Sequence, residues 1–330
     1  AVGTGTVGNG RCNISLGTSG TIFISSANFG VDKNNALHSF AHADGHYHLM
    51  GCMLSAASCN KWWAEEILHT DDFAAEQKDI TKLGENHVFY LPYLMGERSP
   101  HNDPYARATF TGMTMDTTRA DMMQAVLEGV VFALRDSLEV AKSLGIKIER
   151  TKICGGGAKS PLWRKMIANI MNLKVDIIES EEGPALGGAI LAAVGCGEYE
   201  SVEAAADKLV KIVDTVEPEA ELVEKYEKRY QEFRQIYPAL KPVYPVIKIE
   251  CIYGVSHVVA DAFLYTAKLS HKNRKIIIFT NNKGAIMEIM RKIDAMSGRR
   301  NYGKSIKLRN GWWRTGCIYR GCTQKGNFIG

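Results

Sequence analysis

A strand, a glycine turn and a capped helix are encoded by Thr151-Lys-Ile-Cys-Gly-Gly-Gly-Ala-Lys-Ser-Pro-Leu-Trp163. The apolar start predicts a strand, and three consecutive glycines then remove side chains from the turn. Ser160 can accept hydrogen bonds from the first N–H groups of a helix. Pro161 suits the first helical position because proline lacks the N–H that would be unpaired there. The turn is therefore a place where backbone can approach a ligand closely.

A second glycine turn lies near the start of the chain, at Ser15-Leu-Gly-Thr-Ser-Gly20. Small hydroxyl residues between glycines expose successive backbone N–H groups, which suits phosphate oxygens. The segment lacks the Gly-Lys-Ser/Thr ending of a P-loop, so by itself it fits an ordinary hairpin equally well. We predict two strands within residues 13–26, one on each side of this turn.

Strands and helices alternate along residues 1–247. Asp44-Gly45 predicts a hairpin, Thr118-Arg-Ala-Asp121 is a capping box that opens a long helix, and Pro238 is expected to end a helix that starts at Glu219. The other predicted helices cover 55–68, 161–172 and 183–194, the other strands 88–94, 152–154 and 174–178, and a polar loop 96–107. This alternation predicts an α/β fold.

The composition is that of an ordinary globular chain. Of the 330 residues, 45% are hydrophobic and 23% are charged, and this length suggests two domains. No uncharged apolar stretch reaches roughly 18 residues, so we predict no membrane span. Residues 1–10 lack the charged and apolar regions of a signal peptide. The eight cysteines lie mostly singly in apolar segments, which predicts reduced thiols in a cytoplasmic protein.

Charge is divided unevenly between the two ends of the chain. Residues 249–330 hold 15 Lys and Arg against 4 Asp and Glu, a net charge of +11, whereas residues 1–248 have a net charge of −7. Periodicity is also lost near Lys248, so we predict that 248–330 is a tail read from a shifted frame or past the natural stop. The alternative is a basic nucleic-acid arm, in which Trp312 and Trp313 would stack bases among Arg309, Arg314 and Arg320. Within the tail we predict a strand over 275–280, a helix over 285–293 and no regular element from 297 onward.

Two other motifs are weak. Gly3-Thr-Gly-Thr-Val-Gly8 fits the dinucleotide pattern G-x-G-x-x-G, but no strand precedes it and no acidic residue follows at the required distance. We therefore interpret it as a turn. His42, His46 and His48 flank the Asp44-Gly45 turn without a carboxylate or cysteine to complete a ligand set, so we predict a hairpin surface and no metal site.

Three stretches together resemble the FGGY family of carbohydrate kinases. The first is Ile14-Ser-Leu-Gly-Thr-Ser-Gly-Thr-Ile22. The second begins with Tyr93-Leu-Met-Gly-Glu-Arg-Ser-Pro-His-Asn-Asp-Pro-Tyr-Ala-Arg107 and runs to Glu128 with the spacing of the family's second signature. The third is residues 155–163 with Gly183-Pro-Ala-Leu-Gly-Gly-Ala-Ile-Leu-Ala-Ala193. The resemblance covers about residues 1–247.

The resemblance implies an actin-like ATPase, ribonuclease H-like α/β fold, with this chain as the C-terminal half of a two-domain sugar kinase. It implies ATP and Mg²⁺ as cofactors and a small sugar as substrate; D-xylulose is expected, with another ketose or polyol as the alternative. It places Gly17 and Thr18 near the phosphates and Gly156 and Gly157 along adenosine. The residues further implied to lie near the nucleotide are Ala57, Ser58, Lys61, Lys159 and Ser160.

The catalytic base expected from the resemblance is an Asp that would precede Ala1. We therefore expect no catalytic residue in this chain and little kinase activity from it, and the missing initiator Met predicts a start within a longer protein. Glu97 and Arg98 fall in a loop that faces the interdomain region, with no individual role implied. A non-catalytic nucleotide-binding module is the alternative. Expected partners are a second copy of the chain or the N-terminal half.

Overall fold

The computed structural model describes residues 1–180 and 183–247, and three strands further on, Lys275–Phe279, Leu308–Gly311 and Arg314–Arg320. The chain forms two compact units, Ala1–Ile247 and Lys248–Gly330. The first unit contains all the residues predicted to contact a nucleotide. The origin of the second unit stays a prediction.

The first unit is built on one mixed sheet. Its strands are β1 (Cys12–Leu16), β2 (Gly20–Ser26), β3 (His38–Ala41), β4 (Tyr47–Met53), β7 (Arg150–Cys154), β8 (Lys174–Ile178) and β9 (Ile212–Val216), and a separate pair is β5 (Phe89–Leu91) with β6 (Thr109–Thr111). The order across the sheet is β3-β4-β2-β1-β7-β8-β9. Strands β1 to β4 pair antiparallel, whereas β7 pairs parallel with both β1 and β8.

The helices follow the predicted alternation. They are α1 (Ala57–Trp62), α2 (Phe73–Gln77), α3 (Arg119–Ser143), α4 (Pro161–Met171), α5 (Gly183–Gly195), α6 (Val202–Leu209) and α7 (Ala220–Leu240), with 3-10 turns at Val2–Thr4, Gly156–Lys159 and Tyr244–Val246. The predicted capping box at the start of α3 is confirmed. Thr118 accepts the Asp121 N–H, and the Asp121 carboxylate accepts the Thr118 N–H at 2.8 Å.

The main core lies between the sheet and helices α1, α3, α4 and α7. It takes apolar side chains from alternate positions of β1 and β2, such as Ile14 and Ile22, and from the buried side of α3, such as Val130 and Leu134. This is the period-two and period-3.6 patterning expected of a sheet covered by helices. A smaller apolar cluster lies beneath α5 and α6 and includes Val2 of the first turn.

A buried ion pair joins α3 to α7. The Arg229 guanidinium lies 2.7 Å from the Glu128 carboxylate, and the exposed fractions of their side chains are 7% and 1%. Glu128 also accepts hydrogen bonds from Gln124 at 2.7 Å and Tyr226 at 3.0 Å. Removing one partner of such a pair leaves an uncompensated buried charge, so these contacts fix α7 against α3.

Two predicted helices differ from those in the structure. Pro238 does not end α7, which continues to Leu240. A proline in the last turn removes one hydrogen bond only, and the Lys241 N–H still reaches the Tyr237 carbonyl at 2.8 Å. The helix predicted over 55–68 is α-helical only from Ala57 to Trp62 and continues as a π-helical turn, Trp63–Ile67.

The second unit is described only by its strands. β10 (Lys275–Phe279), β11 (Leu308–Gly311) and β12 (Arg314–Arg320) form an antiparallel sheet in the order β10-β12-β11. The strand predicted over 275–280 is therefore confirmed. The prediction that no regular element follows 297 is wrong, because β11 and β12 are regular strands that lack an alternating apolar pattern. The predicted helix over 285–293 and the Trp312-Trp313 pair lie outside the described residues.

Five cysteines of the first unit are free thiols: Cys12, Cys52, Cys59, Cys154 and Cys196. Burial raises the pKa of Cys12 and of Cys59 to about 12. These thiols are therefore protonated at neutral pH and unreactive. Within residues 1–180 and 183–247 and the three later strands, no helix has the length and apolar content needed to cross a membrane.

Gly129 sets the approach of α3 to β5. A methyl group there would lie 2.1 Å from the Tyr90 carbonyl oxygen, whereas a methyl group at Gly188, on exposed α5 surface, meets nothing within 4 Å. We expect Gly129→Ala to lower the free energy of unfolding by about 1–3 kcal/mol because the helix must shift. Gly188→Ala, the control, should raise it by about 0.5–1 kcal/mol. Urea unfolding measures both, and equal effects would contradict this account.

Candidate functional site

The two glycine turns meet at one edge of the sheet. Strands β1 and β7 are parallel neighbours, with Ser15 opposite Cys154, so the segments that follow them emerge side by side. We call residues 17–19 the phosphate loop, after the ligand that the sequence predicts for them, and residues 155–160 the glycine turn. Gly155 has φ +93°, and a methyl group on it would lie 2.5 Å from the Leu16 carbonyl oxygen. Only a glycine lets these two backbones touch.

The phosphate loop is held by the start of α1. The Ala57 N–H donates to the Gly17 carbonyl and the Ala56 N–H to the Thr18 carbonyl, each at 2.9 Å. The Ser58 hydroxyl donates to the same Thr18 carbonyl at 2.7 Å. Thr18 and Ser19 remain exposed. The first N–H groups of α1 therefore stabilise the loop, while the tip of the loop faces solvent.

The glycine turn combines an open residue with a buried support. A methyl group at Gly156 would meet nothing within 4 Å, whereas one at Gly157 would lie 2.8 Å from the ring of Trp163. The Trp163 ring is fully buried, and its indole N–H donates to the Leu127 carbonyl of α3 at 3.0 Å. The turn is therefore fixed on its inner side by α3 and α4 and open on its outer side.

Ser160 caps α4 as predicted. Its hydroxyl accepts the Trp163 N–H at 3.1 Å and donates to the Gln77 side-chain oxygen at 2.6 Å, and Pro161 occupies the first turn. The contact with Gln77 was missed by the sequence reasoning, because α2 lies 83 residues away in the chain and carries no motif. It connects the glycine turn to α2.

Two lysines lie in these segments. Lys61 is 67% exposed and lies 3.7 Å from Glu65, and Lys159 at the end of the glycine turn is exposed. The phosphate loop, the glycine turn and residues 57–61 contain no Asp or Glu. An open edge lined by backbone groups, hydroxyls and lysines suits an anionic ligand.

The structure thus brings the predicted nucleotide residues into neighbouring segments. Hydrogen bonds join the phosphate loop to α1, and the backbone contact at Gly155 joins it to the glycine turn. The residues concerned are Gly17, Thr18, Ala57, Ser58, Lys61, Gly156, Gly157, Lys159 and Ser160. Their contact with a nucleotide stays a prediction.

Glu97 is a buried carboxyl group near the same edge, with 2% of its surface exposed. One carboxylate oxygen, Oε1, accepts the Leu54 N–H at 3.2 Å and the Arg98 N–H at 2.7 Å. Burial raises the pKa of Glu97 to about 8, a shift opposed by the two N–H groups and the Arg98 charge and reinforced by Asp136. The sequence placed Glu97 in a loop but gave no signal that it reaches the end of β4.

The two weak motifs have structural roles. The Val2–Thr4 turn, which overlaps the Gly3–Gly8 motif, packs against α5. His42 and His48 have ring centroids 5.6 Å apart, and the His48 ring stacks on Phe23 at 4.0 Å. Burial lowers the pKa of His48 to about 4, so this imidazole is neutral at pH 7.

The chain matches the description "FGGY family of carbohydrate kinases, C-terminal domain" over residues 12–196. Xylulose kinase of Escherichia coli strain K12 is 38% identical over 238 residues, which are 71% of this chain and 49% of that protein. Xylulose kinase of Klebsiella pneumoniae is 43% identical over 199 residues, 59% of this chain and 41% of that protein. The chain spans about half the length of the curated relatives it matches.

Solved structures agree with the predicted fold. The crystal structure described as that of a xyloylose kinase from Brucella ovis aligns with a TM-score of 0.69 at 34% identity, over 74% of this chain and 50% of that chain. The sheet order, with its antiparallel strands β1 to β4 and its parallel strands β1, β7 and β8, is consistent with that likeness. The actin-like ATPase, α/β fold expected from the sequence is confirmed.

The ionisation of Glu97 predicts a pH-dependent stability. Its folded pKa of about 8 lies above the unfolded value of about 4.3. Its contribution to stability is therefore full below the unfolded pKa and is lost as pH rises through about 8. The side chain of Glu97→Gln cannot ionise, so the variant does not lose this contribution. The unfolding free energy of the variant minus that of the wild type should therefore increase as pH rises from the unfolded pKa to the folded pKa.

Urea unfolding at several pH values between about 5 and 9 measures this difference. The charged and titratable groups around Glu97 are Arg98, Asp136, Cys52, Cys59 and Tyr93, and they are common to both proteins. Glu66→Gln, on the exposed surface after α1, makes the same carboxyl-to-amide change without burial and is the matched control; the pH dependence of the Glu97→Gln difference should exceed it. A flat difference for Glu97→Gln would show that Glu97 ionises normally.

Proposed function

We propose that this chain, which belongs to the FGGY family of carbohydrate kinases, forms the nucleotide-binding half of an ATP-dependent sugar kinase. The whole enzyme transfers the γ-phosphoryl group of ATP to a sugar hydroxyl. One observation carries the proposal: the phosphate loop and the glycine turn meet at the ends of the parallel strands β1 and β7, and the backbone of Gly156 is left open. Ligands of open α/β sheets bind at the carboxyl ends of the strands in this way.

The roles of the two turns follow from their chemistry. The phosphate loop exposes Thr18 and Ser19, which suits phosphate oxygens. The glycine turn offers a side-chain-free surface at Gly156, beneath which Gly157 packs closely on Trp163, and this surface suits the flat base and ribose of adenosine. Ala57 and Ser58 support the phosphate loop, Lys61 and Lys159 supply positive charge, and Ser160 fixes the end of the turn.

D-xylulose is the substrate we propose, with D-xylulose 5-phosphate as the product. Its support is that the relatives at 38% and 43% identity are named xylulose kinases. Within the resemblance, the Gly-Glu-Arg-Ser-Pro-His stretch, residues 96–101, is the part that favours this substrate. Another ketose or a polyol is the alternative, because most sugar contacts are expected from the other half of the enzyme.

Phosphoryl transfer relies on positioning and on charge neutralisation, and Mg²⁺ would supply part of that neutralisation when bound. The phosphate loop, the glycine turn and residues 57–61 contain no Asp or Glu that would bind Mg²⁺, so we assign no metal ligand to these segments. The resemblance assigns no general base to a residue of this chain, which spans about half the length of its curated relatives. We therefore propose that this chain binds ATP but transfers phosphate only when joined by the other half.

Nucleotide binding can be tested at Gly156. Gly156→Leu places a side chain in open space, so the fold should be retained while the path to the turn is blocked. We expect the dissociation constant for ADP to rise at least about tenfold, a free-energy change of roughly 1.4 kcal/mol. Isothermal titration calorimetry measures it. Gly188→Leu, also in open space but on α5, should bind ADP as the wild type does. If Gly156→Leu bound ADP as tightly as the wild type, the proposal that the glycine turn contacts the nucleotide would be refuted.

Catalysis can be tested by coupled ADP release with D-xylulose. We expect the 330-residue chain to turn over far below the roughly 1–100 s⁻¹ of ordinary kinases. Adding the N-terminal half of Escherichia coli xylulose kinase should raise the rate. Turnover near the ordinary range by the chain alone would overturn the half-enzyme proposal.

Two other outcomes would favour the alternatives. ADP binding without turnover, even after the N-terminal half is added, would indicate a non-catalytic nucleotide-binding module. Binding of DNA or RNA that weakens steeply with salt would indicate a nucleic-acid arm in residues 249–330.

A further inference from the structure

We propose that Glu97 is a positioning residue for the phosphate loop and acts through the connection between β4 and α1. The inference rests on the proposed function, in which the phosphate loop contacts the phosphates of ATP. Glu97 lies 80 residues from Gly17 in the sequence, and only the fold connects the two.

The connection begins where β4 leaves the sheet. Met53 is the last residue of β4 and pairs with Gly20 at the start of β2. Leu54 follows, past the end of the strand, and its N–H has no place in the sheet ladder. Leu54 is half-buried, and Glu97 Oε1 accepts its N–H at 3.2 Å. Glu97 therefore fixes the point at which the chain turns from β4 toward α1.

Two and three residues further on, the same connection holds the phosphate loop. The N–H groups of Ala56 and Ala57 donate to the carbonyls of Thr18 and Gly17. A shift of Leu54 would be carried by Ser55, which is fully buried, to these donors. The Glu97 carboxylate and the phosphate loop are thus two ends of one hydrogen-bonded path.

Glu97 is itself held rigidly. Its N–H donates to the Asp103 carbonyl at 2.9 Å and its carbonyl accepts the Asp103 N–H at 2.8 Å. The Ser99 N–H donates to the Cys52 carbonyl at 3.0 Å, which joins the same loop to β4. A side chain placed by three backbone hydrogen bonds is a fixed support for Leu54.

Burial distinguishes this role from direct contact with a ligand. Glu97 is 2% exposed, so a nucleotide or sugar at the sheet edge does not reach its carboxylate. Within the described residues, its second oxygen, Oε2, accepts no hydrogen bond. The geometry therefore requires one accepting oxygen at Oε1 rather than a negative charge. A glutamine supplies the same oxygen, and a methionine of similar length does not.

The test compares Glu97→Gln with Glu97→Met in the full chain. Calorimetry measures the binding of ADP and of adenosine to each. We expect Glu97→Met to weaken ADP binding about tenfold, the effect of one lost positioning hydrogen bond, and to leave adenosine binding unchanged because adenosine has no phosphates. Glu97→Gln should bind both ligands as the wild type does. If the Met variant does not fold, Glu97→Asp withdraws the carboxylate by one methylene and should give the same result.

Asp32→Leu is the matched control. Asp32 is another buried carboxylate that accepts backbone N–H groups, those of Asn34, Ala36 and Leu37, but it follows the far end of β2. This variant should lower the unfolding temperature without changing the ratio of ADP to adenosine affinity. Unchanged ADP binding by Glu97→Met, or an equal loss for both ligands, would overturn the positioning role alone. A wild-type chain that binds neither ligand would overturn the proposed function and, with it, this inference.

Discussion

The parallel pairing of β1 with β7 is the constraint on which the candidate site depends. These strands are 139 residues apart at the Asn13 and Lys152 pair, yet their parallel direction makes the following turns emerge at one edge. Gly155 then lets the two backbones touch at Leu16. Because the contact is backbone against backbone, its geometry depends little on side-chain motion. A sheet edge built in this way can present N–H groups at fixed spacing to an anionic ligand.

The layers behind the sheet keep this edge in place. The buried Trp163 joins the glycine turn to α3 through the Leu127 carbonyl, and the ion pair of Glu128 with Arg229 joins α3 to α7. The loop that carries Glu97 supports the connection from β4 to α1, which holds the phosphate loop. The site therefore consists of a few exposed loop atoms, which are held in place by buried contacts between residues distant in sequence. Ligand sites on rigid scaffolds are commonly built in this way.

The elements that were predicted correctly are those whose structure is decided by local chemistry. The capping box at Thr118 and the cap at Ser160 formed as predicted, because each depends on residues three positions apart. The elements that were predicted wrongly are those in which packing overrides a local rule. The last turn of α7 passes through Pro238, since the loss of one hydrogen bond is small beside the contacts of a long amphipathic helix. Strands β11 and β12 were missed because their residues do not alternate between polar and apolar.

The sequence by itself determined the α/β class, the family and the short segments from which the site is made. Glycine runs, caps and signature spacing are local properties, and they can be read from neighbouring residues. Only the tertiary structure decided which segments meet. The contacts of Leu16 with Gly155, of Ser160 with Gln77 and of Leu54 with Glu97 join residues 139, 83 and 43 positions apart. Such contacts follow from strand order and burial, which no local pattern of residues encodes.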